Sequence, residues 1–354
     1  MKIVVLGGGI STERHVSLVT GTSVCRALRA RGHRAIFVDM FMGLEGWQGS
    51  LEAAFDAPDG FCGNVAIGHT APDLDAVRAS RALKGPSRLG ENVLALCQLA
   101  DCVFLGLHGA DGEDGKIQAA LDLLGVLYTG SGPLGSAMAM DKAVAKRIMQ
   151  SAGVLTPAWQ ELSYQPEDIP RLAEELPVPC VIKAVNGGSS IGVVIAESRA
   201  ELSSALAEVR KYSDRVIVEE KILGREMTLP ILGDRYLSAI EIVPPEGGSF
   251  DYVAKYQGGS EGAREICPAR ITAQEHALMG EAALRFHRAL GLSVYSRTDF
   301  IIDAEGRAWC LEVNTLPGMT PNSLIPRAAS VEGMSYEELC EAIIDLSLKA
   351  RRGQ

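Results

Sequence analysis

The chain has 354 residues, 47% hydrophobic and 22% charged, and carries a formal net charge of -10 at pH 7. This balance argues against a disordered or fibrous chain, and the length exceeds what one hydrophobic core usually serves, so two or three domains with clefts between them are expected. The acidic charge argues against a broad surface for nucleic acid or anionic lipid, yet leaves room for a local basic pocket that takes phosphates.

Met1-Lys2 runs straight into an apolar strand pattern, which is not the plan of a signal peptide, and no apolar run reaches the roughly 18 residues of a membrane helix. A cytoplasmic protein without membrane partners is expected. The eight cysteines include no Cys-x-x-Cys pair, so they read as buried free thiols rather than zinc or redox sites.

In chain order, apolar patterning predicts a strand over 2–6, a helix over 16–31, and strands over 34–39 and 102–107, together a parallel α/β layer. Residues 41–92 are rich in Gly, Ala, Pro and Asp and show no periodicity that places an element. A helix over 117–124 leads into Thr129-Gly-Ser-Gly-Pro133, a cluster of turn formers read as the first domain boundary, and a helix over 141–152 follows. Beyond Pro157 the pattern changes to strands over 180–184, 193–196, 216–220, 226–232, 237–243, 293–303 and 308–314. Helices over 199–212, 273–290 and 336–350 complete an α+β organisation with mixed or antiparallel sheets.

The most informative stretch is 295–314, where two alternating apolar runs flank the turn Ala304-Glu-Gly-Arg307, the pattern of a β-hairpin. With the turn centred between Glu305 and Gly306, Arg297 faces Asn314 and Asp299 faces Glu312. Opposed residues share a face with Cβ atoms ~5 Å apart, so these four polar groups gather on one side. Phe300, Ile302, Trp309, Leu311 and Val313 are then expected on the core side. Two carboxylates and an amide beside an arginine suit magnesium, a hard ion that keeps waters and phosphates in its shell. The same residues also fit a solvated hairpin face with a cross-strand salt bridge. The polar loop Asn314-Thr-Leu-Pro-Gly318 and onward to Ser323 favours the metal, because its amides and hydroxyls suit the anionic end of a ligand.

Further segments fit phosphate chemistry. Lys183-Ala-Val-Asn-Gly-Gly-Ser-Ser-Ile-Gly192 follows a strand and offers N–H and O–H donors, without the order of a Walker A loop. Lys142 suits a second phosphate cation or a solvated surface position. Glu219-Glu220-Lys-Ile222 through Glu226 fits a hinge that reads adenine and ribose, or an ordinary acidic strand end. Residues 244–268 hold a glycine-rich stretch around Lys255-Tyr256 of the kind that forms an active-site lid, or a surface loop. Gly7-Gly-Gly9-Ile-Ser-Thr12 with Asp39 imitates a dinucleotide fingerprint, which keeps an NAD-dependent dehydrogenase as a rival, although Glu13 at the helix start opposes a pyrophosphate.

Taken in order, Gly8-Gly-Ile-Ser-Thr-Glu13, Leu107-His108-Gly-Ala-Asp-Gly-Glu-Asp-Gly115, Tyr128-Thr-Gly-Ser-Gly132, Met140-Asp-Lys142, Asn186-Gly-Gly-Ser-Ser-Ile-Gly192, Lys255-Tyr256 and Glu312-Val-Asn-Thr-Leu-Pro-Gly318 resemble the motifs of D-alanine–D-alanine ligases of the ATP-grasp superfamily. The resemblance spans about residues 2–325. It implies three domains: 1–129, an N-terminal α/β domain taking the first D-alanine; 130–216, a central ATP-grasp subdomain; and 217–354, a C-terminal subdomain with metal site and lid. The implied activity is ATP-dependent ligation of two D-alanines through an acyl phosphate, a step of peptidoglycan synthesis. A D-serine or D-lactate acceptor, or a nucleotide-binding regulator without turnover, are the alternatives.

By resemblance, Asp299, Glu312 and Asn314 hold two Mg²⁺, with Mn²⁺ as a substitute. Lys142, Lys183, Ser190 and Lys255 contact ATP phosphates, while Glu219, Glu220, Ile222 and Glu226 hold the adenosine. Arg297 and the Gly318 N–H stabilise the oxyanion. Glu13 takes the first ammonium and joins Ser189 and Tyr256 in a network that closes the lid. His108 lies near the first amino acid, and Ser323 and Leu324 receive the carboxylate of the second. His15 stands where relatives often carry an acid. A homodimer is implied as well.

Overall fold

The computed structural model describes residues 1–63, 65, 72–188, 192–244 and 263–352. Strands β1 (Lys2–Gly7), β2 (Arg34–Asp39) and β3 (Cys102–Leu105) form a parallel sheet in the order β2-β1-β3. All four residues of β3 are buried and β1 is buried from Ile3 onward, as both-face coverage of a parallel sheet requires. The helix Arg14–Ala30 packs on β1 and β2.

The unplaced region 41–92 contains helices Leu51–Ala54 and Leu74–Ser80, with Val93–Leu99 just after it. Runs of four and seven residues are too short to display a helical repeat, and they are specified by their ends instead. Ser50 Oγ accepts from the Ala53 N–H and Asp73 Oδ1 from the Asp75 and Ala76 N–H groups. Arg81 is buried there, stacked 4.0 Å from the Phe41 ring and donating to the Ser87 and Gly85 carbonyls at 2.8 and 3.0 Å. One arginine thus organises a segment without an apolar pattern of its own.

The central sheet runs β4-β7-β5-β6, from β4 (Trp159–Ser163), β5 (Cys180–Ala184), β6 (Val193–Ala196) and β7 (Arg215–Glu220), all antiparallel. Helices Ile169–Glu175 and Arg199–Arg210 cover one face, with Leu172, Leu202, Leu206 and Val209 packed on Ile182 and Val218. β4 lies at the sheet's edge and none of its residues is fully buried, which removed the alternation that would have marked it.

The third sheet follows the order β11-β10-β8-β12-β13, from β8 (Arg225–Leu232), β10 (Ile240–Val243), β11 (Arg264–Ile266), β12 (Tyr295–Ile302) and β13 (Ala308–Asn314); β9 (Arg235–Tyr236) pairs with β8. The strand expected over 237–243 is therefore shorter. The helix Ala273–Ala289 packs behind this sheet. The final helix, Tyr336–Arg352, instead shares a core with the N-terminal layer, through Ile343, Ile344 and Leu348. Arg351 lies 3.4 Å from the Tyr128 ring and donates to the Tyr128 carbonyl at 2.7 Å.

The β12–β13 hairpin has the expected pairs, Arg297 with Asn314 and Asp299 with Glu312, but reaches them by a different route. Nearer the turn, Ile302 pairs with Ala308 and Phe300 with Cys310, and the register then shifts by one residue at Leu311. The turn is centred on Glu305, with Gly306 at φ +76°, and a β-bulge restores the pairing. This corrects the expected core face. Cys310 and Ala308 are buried beside Phe300, Ile302 and Val313, whereas Trp309 and Leu311 are only half-buried. The Trp309 indole N–H donates to Asp303 at 2.7 Å.

At the end of β2, Asp39 pairs with Arg14; both are buried. Arg14 also donates to the Gly9 carbonyl at 2.5 Å, and Asp39 accepts from the Phe41 N–H at 2.9 Å. Removing one member of a buried pair costs about 3–5 kcal/mol. Asp39→Ala should therefore lower the urea unfolding midpoint markedly, and an unchanged midpoint would contradict this role.

Candidate active site

The polar face of the hairpin is assembled as the sequence suggests. Arg297 Nε and an Nη donate to the two oxygens of Asp299 at 3.0 and 3.1 Å. Thr228, opposite on β8, donates to Asp299 Oδ1 at 2.6 Å, and Asn314 Nδ2 lies 3.4 Å from Oδ2. Glu312 Oε2 is 3.4 Å from Lys142 Nζ, which itself donates to the Gly187 carbonyl at 2.7 Å. The hairpin, the start of helix Lys142–Ser151 and the Gly187-Gly188 segment thus converge on one cleft, lined also by Met140, Val313 and Thr315.

Among the described residues no cluster of three or more His, Cys, Asp or Glu side chains could hold a metal. Two carboxylates and one amide oxygen nevertheless fit Mg²⁺, because that ion completes its octahedron with waters and substrate phosphates. Cations already packed against these carboxylates show that the face attracts positive charge.

Glu219 is not a solvated strand end. It is buried between Lys183, at 2.5 Å, and Lys146, both themselves buried. Burial works against its charge, but Lys183 and Lys146 hold its carboxyl below the usual range. Two ammonium groups sharing one carboxylate leave a net positive charge in a dry site, which suits a polyphosphate. Lys146 Nζ also donates to Thr156 Oγ1 at 2.6 Å, and that hydroxyl donates to the Cys310 carbonyl at 2.8 Å. Sequence reasoning passed over Lys146, although its position one turn beyond Lys142 puts both on one helix face. Glu220 is exposed, Ile222 follows in the connection to β8, and Glu226 lies on β8 near Lys183.

On the N-terminal side, Glu13 immediately precedes the helix Arg14–Ala30 and lies in the same cleft, against Gly109 and Gly188; a Cβ on either glycine would meet its carboxylate at 2.8 Å. Ser189, Ser190, Lys255, Tyr256 and the lid stretch up to residue 262 lie outside the described residues. His108 is buried, with Nε2 2.9 Å from Thr20 Oγ1 and Nδ1 2.8 Å from the Leu316 carbonyl. Glu113, a second residue that sequence reasoning passed over inside Gly112-Glu-Asp-Gly115, accepts from the Gly109 N–H at 2.7 Å and the Leu316 N–H at 3.1 Å. Burial, then the neighbouring Glu13 carboxylate, push its carboxyl up to about 8.

Ser323 immediately precedes the helix Leu324–Val331, and its Oγ accepts from the Thr320 N–H at 3.1 Å. A Cβ on Gly318 would lie 3.0 Å from that oxygen. Ser323, Leu324 and Gly318 therefore cluster at a helix N-terminus, where a carboxylate is favoured. The opening glycines are committed elsewhere. A Cβ on Gly8 would fall 2.5 Å from Asp39 Cγ, and the Asp39 carboxylate is occupied by Arg14 and the Phe41 and Met42 N–H groups. The Asp39 carboxylate is thus committed to the Arg14 guanidinium and to its own loop, which argues against the dehydrogenase reading.

Comparison with known proteins agrees with this geometry. Residues 2–131 match the family model described as D-ala D-ala ligase N-terminus, and residues 148–345 the model described as D-ala D-ala ligase C-terminus. A D-alanine–D-alanine ligase of Pediococcus pentosaceus is 40% identical over 349 residues, covering 97% of each chain. One of Halalkalibacterium halodurans is 40% identical over 354 residues, covering 99% of this chain and all of that one. The solved D-alanine–D-alanine ligase of Bacillus anthracis, in a complex with ATP, is similar with a TM-score of 0.71 and 26% identity, covering 100% of this chain and 99% of that one. By sequence over nearly its whole length and by fold, the chain belongs to the D-alanine–D-alanine ligase family.

Proposed function

We propose that the chain joins two D-alanines at the expense of ATP, supplying the dipeptide for peptidoglycan, with the hairpin face and the Glu219 cradle as the two halves of its nucleotide site. The observation that carries this reading is the gathering of Asp299, Glu312 and Asn314 on one face of the hairpin, with Lys142 3.4 Å from Glu312 and the Lys183 ammonium near enough to feel the Glu312 charge. Residues 1–129 serve the first D-alanine, and the central sheet with the C-terminal sheet closes on the nucleotide; the boundary expected at 216/217 falls inside β7, whose pairing with β5 keeps the chain in the central sheet through Glu220. The similar Bacillus anthracis ligase was solved with ATP, which supports nucleotide binding. A cytoplasmic homodimer is the state proposed.

Asp299, Glu312 and Asn314 would hold Mg²⁺, which when bound supplies charge neutralisation to the phosphates. Lys142, Lys183, Ser190 and Lys255 orient those phosphates, while Glu226 and the backbone of Glu220 and Ile222 hold adenosine; Glu219, expected to join them, is taken up by Lys183 and Lys146 and holds those cations in place instead. Positioning and charge neutralisation dominate phosphoryl transfer, and this cleft provides both. Glu13 receives the ammonium of the first D-alanine, with Ser189 and Tyr256 closing over it. The carboxylate of the first D-alanine takes the γ-phosphoryl group of ATP and ADP is released; the amine of the second then attacks the acyl carbon, the C–O bond to phosphate breaks, and phosphate and the amine proton leave. Arg297 and the Gly318 N–H take up the negative charge that grows on the carbonyl oxygen, an arrangement worth most in a site closed to water. The N-terminus of helix Leu324–Val331, with Ser323, receives the second carboxylate.

Purified protein should release ADP and phosphate only when D-alanine and Mg²⁺ are both supplied; release with another amino acid but not D-alanine would redirect the assignment to a different carboxylate–amine ligase. Glu312→Gln should lower kcat by ~10²-fold or more with no change in unfolding midpoint, since the Glu312 side chain is 31% exposed and not part of the core. A folding defect in that variant would favour a structural salt bridge instead.

A further inference from the structure

The Leu316 backbone is gripped on both sides by the loop that carries His108 and Glu113. Its N–H donates to Glu113 Oε1 at 3.1 Å, and its carbonyl lies 2.8 Å from His108 Nδ1. A carbonyl only accepts, so Nδ1 carries the proton, and Nε2 of a neutral ring accepts from Thr20 Oγ1 at 2.9 Å. Burial favours that neutral ring. The loop is fixed in turn: Glu113 also accepts from the Gly109 N–H at 2.7 Å, and Ser11 Oγ donates to the His108 carbonyl at 2.7 Å.

The next residue is Pro317, whose ring fixes φ near -65°. Once the Leu316 carbonyl is held, the only soft backbone torsion left before the Gly318 N–H is ψ of Pro317. On the other side, two residues back, stands Asn314.

We propose that Glu113, His108 and Thr20 are positioning residues that act through the Leu316 backbone to aim the Gly318 N–H at the developing oxyanion, rather than ligands of the amino acid itself. This rests on the ligase reading and adds residues from the N-terminal layer to the machinery of the C-terminal one. Both ring nitrogens of His108 and both oxygens of Glu113 are engaged within the protein, which is how a strut differs from a substrate contact. The arrangement also makes transition-state stabilisation depend on the seating of the N-terminal layer against the hairpin loop.

The test uses Glu113→Gln and the nearly isosteric Thr20→Val in the full chain, with two readouts. Amide hydrogen exchange at 315–318, measured without substrates, should speed up in both variants. Steady-state kinetics should show kcat reduced by roughly 10-fold to 10²-fold, the scale of a misaimed group, while KM values for ATP and D-alanine move by less than about 3-fold, the signature of an interaction made only in the transition state. Unchanged exchange in both variants overturns the proposal, as does faster exchange with wild-type kcat. A raised KM for D-alanine with kcat preserved also overturns it and makes Glu113 a substrate ligand. Should Glu113→Gln fail to fold, Thr20→Val decides alone. Wild-type protein that released no ADP with D-alanine would sink the ligase reading, while the exchange arm would still report whether the strut exists.

Discussion

Everything in the site depends on one extra residue in β13. Counting outward from the turn, the pairing of Ile302 with Ala308 would bring Leu311 opposite Asp299 and Val313 opposite Arg297 if it continued unbroken. Two apolar side chains would then occupy the polar face, and Glu312 and Asn314 would point into the core. The bulge at Leu311 advances the strand by one residue and exchanges the faces. Cys310 and Ala308 go to the core, and Glu312 and Asn314 come to the side of Asp299.

The bulge is held by its neighbours on both sides. At the turn, Asp303 accepts from the Arg307 N–H at 2.9 Å, the Glu305 N–H at 3.1 Å and the Trp309 indole at 2.7 Å. Burial alone would raise the Asp303 carboxyl, but these donors and Arg307 hold it down at about 2. On the open edge, the Cys310 N–H donates to the Leu155 carbonyl and the Cys310 carbonyl accepts from Thr156, both at 2.8 Å. Thr156 in turn receives Lys146, whose ammonium also reaches Glu219. A single chain of polar contacts therefore runs from buried Glu219 to the strand that carries Glu312 and Asn314, and it is buried enough for each contact to be costly to lose.

Much of this was legible in the sequence, and the reasons differ by element. The parallel layer and strand Cys180–Ala184 announce themselves because buried strands are apolar, whereas Val193–Ala196, largely unburied, and the half-buried Ala308–Asn314 show as short apolar runs bounded by turn residues. β4, at the sheet edge, and the short helices between 41 and 92 lack enough buried positions to leave a period. The four hairpin residues could be paired from the sequence because a two-residue face repeat needs only a turn to anchor it. The bulge could not: an error of half a residue in the turn centre and one extra residue in the strand cancel at Asp299 and Glu312 but not at Trp309 and Leu311. Lys146 and Glu113 escaped notice because an isolated lysine or glutamate reads as solvated surface, and only the fold shows that each is enclosed beside its partners.

Asp299 and Glu312, opposed across the hairpin, are proposed to grip one metal-nucleotide. The most direct test is Mn²⁺ binding in the presence of ATP, followed by electron paramagnetic resonance, for the wild type, Asp299→Asn, Glu312→Gln and the double variant. The two single changes should each weaken Mn²⁺ binding by about tenfold or more, and the double variant should lose less than the sum, since residues serving one ion are coupled. Wild-type Mn²⁺ affinity in both single variants would contradict the account.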